Sequence, residues 1–139
     1  VDPIVSIVAG ATILTVIGIM SGGTFLLRIH AAGMPFNDLQ KTFFRAGHAH
    51  AGVLVTLGLV VVLVLAVSGA PAAWQWAGVG VLASALLIPA GFFLSVLGND
   101  PRRPGRAIVL LWAGVVVLAL ALASAGVAVI VAGASALAS

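Results

Sequence analysis

The C-terminal stretch Ala107–Ala138 reads AIVLLWAGVVVLALALASAGVAVIVAGASALA, without one charged side chain. A helix needs roughly 20 apolar residues to cross the hydrocarbon core of a bilayer, and this stretch exceeds that length. Working back along the chain, Trp74–Leu97, Ala46–Val67 and Ile4–Leu27 are equally free of Asp, Glu, Lys and Arg and also long enough. The predicted fold class is therefore all-α: four antiparallel transmembrane helices in one bundle with left-handed packing. Residues 1–139 form a single domain in this reading, with helices near 4–31, 38–67, 74–98 and 105–137.

Composition agrees with a polytopic membrane protein. The chain is 63% hydrophobic and 6% charged, with a mean hydropathy of +1.31. A soluble domain carries about 25% charged residues, so this chain could not cover a surface in water. The absence of cysteine removes disulfides, thiolate metal sites and cysteine nucleophiles. Six basic residues against three acidic ones set a sequence pI near 11.4, which in a membrane chain reports topology rather than a nucleic-acid partner. The first apolar stretch is expected to be a helix of the bundle, being too long and lacking the charged lead of a simple signal peptide.

All the bases cluster in two connections: Arg28, Lys41 and Arg45 around the first, and Arg102, Arg103 and Arg106 in the third. The positive-inside bias then places these connections in the cytoplasm and both termini outside. Trp74 and Trp76 mark the outer end of the third helix. Asn37 or Asp38 is positioned to cap the second helix, and Asp100 to pair with Arg102 or Arg103. Anionic lipid is the expected partner of the basic collar.

Small residues prepare the helices for close approach, which matters because apolar burial gives helices in lipid little reason to associate. Gly18 and Gly22 are spaced for this in helix one, Gly47, Gly52 and Gly58 in helix two, and Gly78 and Gly80 in helix three. Ala119, Ala121, Ala123 and Ala125 follow in helix four. With so little outside the bilayer, a homo-oligomer or a subunit of a membrane complex is expected. Pro89 removes a hydrogen bond in mid-helix and is a candidate hinge.

Polar groups at membrane depth are the default functional candidates. His48 and His50 lie two residues apart in Arg45-Ala46-Gly47-His48-Ala49-His50-Ala51-Gly52, and His30 ends helix one. At about 100° per residue the two imidazoles of an intact helix point to opposite sides and cannot chelate one ion together. Asp38, Lys41, Arg45, His48, Gly52 and Thr56 form one polar stripe, whereas His50 shares its face with Phe43, Gly47, Leu54 and Leu57. Pairing helices one and two antiparallel sets His30 level with residue 39 and His48 about 13 Å deeper. Ser21 and Thr24, with Ser95 or Asn99, are then the expected neighbours of His48.

Imidazole ligates heme iron, copper and zinc, and glycines beside the pair leave room for a flat macrocycle. Heme b, or a copper or zinc ion, is the cofactor these residues suggest, held by His48 and His50 with His30 contributing from an adjacent protomer. Two other roles remain open: a channel or transporter in which His48 relays protons, and a structural or lipid-binding subunit. The chain contains no phosphate-binding Gly-x-x-x-x-Gly-Lys loop, no Gly-x-Ser-x-Gly elbow, no His-Glu-x-x-His and no acid in mid-membrane. Nucleotide hydrolysis, serine hydrolysis and zincin chemistry lack their parts, and no catalytic residue is assigned.

The segment Ser21-Gly22, Arg28 and His48-Ala49-His50-Ala51-Gly52-Val53-Leu54-Val55-Thr56-Leu57-Gly58 resembles small four-helix bacterial membrane proteins with a His-x-His near the start of helix two. More distantly it resembles the His-x-His helix of heme–copper oxidase catalytic subunits and NnrS-type membrane proteins. That resemblance implies His48 and His50 as ligands facing opposite sides. The third and fourth helices carry no histidine here, so bis-histidine ligation would draw on His30 or on another subunit.

Overall fold

The computed structural model describes residues 1–31 and 35–138, apart from the side chain of His30. Over these residues all regular structure is helical: α1 spans Pro3–Ala31, α2 Asp38–Val67, α3 Trp76–Ser95 after a 3₁₀ turn at Ala72–Gln75, and α4 Ile108–Leu137. All four helices are long and apolar enough to cross a membrane, and they pack as an antiparallel transmembrane bundle.

Each helix end has a local cause. The Asp2 carboxylate accepts the Ile4 amide at 2.8 Å and starts α1. Asn37 and Gln40 form a reciprocal capping box at the start of α2. Helix α3 stops at Ser95 rather than near residue 98, because Gly98 (φ 127°) and Asp100 (φ 50°) turn the backbone into the left-handed region. Helix α4 begins at Ile108, not at residue 105. The intervening residues serve as a turn in which Gly105 N–H donates to the Ser95 carbonyl, and Ile108 N–H to that of Gly105.

Packing centres on α3, which lies against α2 and α4 and has buried residues along its length, from Gly78 to Ser95. Three glycines set the α2–α3 register: Gly47 meets Phe93, Gly58 meets Leu82, and Gly78 meets Val62. Three more set α3–α4: Gly80 meets Ala121, Gly91 meets Leu111, and Gly114 meets Leu87 and Ile88. Ala121 and Ala125 are buried as expected, but Ala119 and Ala123 face outward, and Gly18 and Gly52 border open space. Alternate residues of one helix cannot share a contact face, which explains the split in the alanine series. Pro89 is buried within α3, which runs unbroken through it.

Helix α1 is the lightly held member: among the described residues it buries only Val5 and Ile29, close to its two ends. At one end Asp2 N–H donates to the buried Gln75 side chain at 2.9 Å. At the other, Phe25 packs with Phe36 and Phe44, and Phe44 stacks on Phe93. All six phenylalanines of the chain gather at this basic end, since Phe43 and Phe92 meet edge to face at 5.5 Å.

Candidate histidine site on α2

The helical spacing separates the two imidazoles as expected. His50 lies on the exterior against α3, its ring centroid 5.1 Å from that of Phe92. Its Nδ1 lies 2.8 Å from the Ala46 carbonyl oxygen, one turn back on the same helix. A carbonyl only accepts, so Nδ1 carries the hydrogen and Nε2 of the neutral ring keeps the lone pair. Ring position and tautomer are thus both fixed by α2 and α3 before any ligand arrives.

His48 is half-buried and meets α1. A Cβ placed on Gly22 would lie 3.2 Å from Nδ1, and one on Gly23 would lie 3.5 Å from Nε2, so the imidazole occupies the notch that two adjacent glycines leave. The neighbours of His48 on α1 are therefore glycines, not the hydroxyls expected from the sequence. Ser21 and Thr24 lie exposed and donate to carbonyls of their own helix, those of Ile17 and Ser21, at 3.2 and 2.7 Å. Ser95 is also spent locally, donating to the Phe92 carbonyl, while Asn99 is exposed in the turn. Ser21 and Thr24 flank the level that His48 occupies, and antiparallel spacing alone does not determine which face of α1 turns inward.

Beside His48 an open groove of about 720 Å³ runs along α1 and α2, bordered by Ile19, His48, Gly52, Val53, Thr56 and Val60. The Thr56 hydroxyl donates to the Gly52 carbonyl at 3.0 Å. Neither ring nitrogen of His48 is hydrogen-bonded among the described residues, and no side-chain nitrogen is both sealed and unpartnered there. Its nitrogens thus retain access to a partner from outside the protein.

The described residues contain no group of three or more His, Cys, Asp or Glu able to hold a metal ion. The His30 side chain, offered as a third ligand, lies outside the described residues. Of the basic residues, Arg28, Arg45, Arg102, Arg103 and Arg106 are exposed and Lys41 is half-buried. Asp100 pairs with Arg102 at 3.0 Å, an exposed contact of small energetic weight.

A polar clasp that no charge marks in the sequence closes the same end. Gln40, only 3% exposed, accepts the Asn37 amide on Oε1 and donates from Nε2 to the Val96 and Gly98 carbonyls at 3.1 and 3.2 Å. Asn37 accepts the Gln40 amide and donates to Asp100 and to the Pro101 carbonyl at 2.9 and 2.8 Å. The spacing Asn37-x-x-Gln40 was the available signal, being that of a capping box.

No family model, curated protein or solved structure matches the chain. Fold and site together define a polytopic membrane protein whose second helix presents two separate imidazoles at the end that carries the basic residues.

Proposed function

We propose that the protein binds heme in the membrane, with His50 as the ligand to iron. The observation that carries this reading is the Nδ1 anchor to Ala46, which leaves Nε2 with a lone pair on an exposed ring. An imidazole whose other nitrogen donates to a backbone carbonyl is oriented and made more basic as a ligand. Heme is favoured over a bare copper or zinc ion by donor count. A bare ion needs three or four protein donors, which the described residues do not gather, whereas a porphyrin brings four nitrogens and needs one imidazole. Phe92 and the apolar face of α2 suit the macrocycle's own apolar body.

A second imidazole on the same iron would come from another copy of the chain or from a partner subunit, because His48 faces α1. The role is then redox, sensing or accessory within a membrane complex. By the positive-inside bias the site lies near the cytoplasmic side, with both termini outside. A proton relay through the bundle finds less support. Among the described residues the buried polar side chains are Gln40, Ser95, Ser84 and Gln75, and all but Ser84 sit at the helix ends.

The test is reconstitution of the purified protein with heme. A Soret band at stoichiometric loading is expected; His50→Ala should abolish it and His48→Ala should leave it. A protein that takes up no heme, or His50→Ala protein that keeps the full band, would overturn the assignment.

A further inference from the structure

We infer that the α1–α2 groove is a specific site for one anionic phospholipid, independent of heme at His50. Lys41, Arg45, His48, Gly52 and Thr56 follow one another along a single face of α2, and the last three border the groove. That face runs from two cations at the membrane surface into an open apolar channel of about 720 Å³. Its order of chemistry is the order along a phospholipid. The phosphate meets Lys41 and Arg45, whose long side chains reach the headgroup level from just inside the interface. His48 lies about 4.5 Å further along α2 than Arg45, where the glycerol esters of a lipid held by these bases would fall, and its ring nitrogens have no partner among the described residues. Beyond it Gly52, with nothing within 4 Å of where a Cβ would be, leaves an unfilled track for an acyl chain that continues past Thr56 to Val60.

Charge complementarity selects the occupant. Among the described residues Asp100–Arg102 is the one ion pair, so Lys41 and Arg45 keep their charge for a ligand. Of the three acids, Asp2 lies at the far end of α1 beside Gln75, Asp38 is exposed at the start of α2, and Asp100 is already engaged. A zwitterionic headgroup would set its own cation among these bases, whereas a phosphatidylglycerol headgroup would not. The light attachment of α1 keeps the groove open along its flank, where a tightly packed helix would have closed it.

Native mass spectrometry of the full chain, exchanged into detergent with defined lipids, tests the site. One phosphatidylglycerol per chain should be retained in preference to phosphatidylcholine. Each of Lys41→Gln and Arg45→Gln should weaken retention roughly fivefold, the factor a single base near a membrane surface contributes. Gly52→Leu, which enters open space and leaves the fold intact, should weaken it comparably by filling the acyl track. Arg102→Gln with Arg103→Gln should change nothing, and glycerol phosphate alone should not compete. Equal retention of the two lipids would overturn the proposal. So would equal losses from the Arg102 and Arg103 changes, insensitivity to Gly52→Leu, or competition by the free headgroup.

Discussion

Gly91→Ala should cost the bundle about 2–3 kcal/mol, although alanine is the better helix former by nearly 1 kcal/mol. A Cβ on Gly91 would fall on the backbone nitrogen and Cα of Leu111, atoms that cannot turn aside as a side-chain tip can. The two helices would have to move apart, and Gly80–Ala121 and Gly114–Ile88, which share the same register, would loosen with them. In lipid this loss is not recovered by burying apolar surface elsewhere, because the hydrocarbon tails are as apolar as the partner helix. Gly133→Ala is the matched control on α4, with nothing within 4 Å of the new carbon, and it should be neutral or slightly stabilising. Thermal unfolding of both variants in one detergent decides the matter. Equal midpoints would mean that α3 and α4 are not held by this contact.

The sequence reveals the four helices and conceals much of what joins them, and the reason is physical. Spanning a bilayer requires a long uncharged run, so Ile4–Leu27 and its three counterparts announce themselves. Contact between helices requires only a small residue at the right height and angle, and this chain has 17 glycines. Gly18 and Gly52 fit the small-residue pattern as well as Gly91 and Gly114 do, yet only the latter pair lies where α3 and α4 touch. Helix ends diverge for a related reason. Val96 and Leu97 are apolar enough to extend α3, but the Val96 carbonyl is taken by Gln40 from another helix, 56 positions away in the chain.

The site shows the same division. That His48 and His50 diverge follows from helical geometry alone. That His48 rests in a notch of two glycines while His50 is locked by Ala46 depends on which face of α1 turns inward and on where Phe92 arrives. The six phenylalanines are scattered over the sequence between Phe25 and Phe93, and only antiparallel pairing brings them to one end. Gln40 is a neutral amide, so nothing in its residue type marks it out, although it joins the start of α2 to the end of α3.

Gln40→Leu is expected to destabilise the protein by about 2–4 kcal/mol. The glutamine fills one acceptor and two donor positions at once, to Asn37 and to the Val96 and Gly98 carbonyls, in a place almost closed to solvent. Leucine keeps much of the volume and removes all three bonds. It strands the carbonyl that ends α3 and half of the box that begins α2, and unpartnered buried groups carry most of the cost. Gln40→Glu should be worse still. A carboxylate can accept the Asn37 amide, but it turns a negative charge toward the two carbonyl oxygens that the amide had served. Asn37→Asp separates cap from clasp, since the carboxylate still accepts the Gln40 amide while the donors to Asp100 and Pro101 are lost. Its effect should be intermediate: the new carboxylate faces that of Asp100, but these partners are exposed or half-buried, so water screens the repulsion and can replace the bonds. Unfolding midpoints falling in the order wild type, Asn37→Asp, Gln40→Leu, Gln40→Glu would establish that the amide joins α2 to the end of α3. Gln40→Leu as stable as wild type would show that the basic end is held by its aromatic cluster alone.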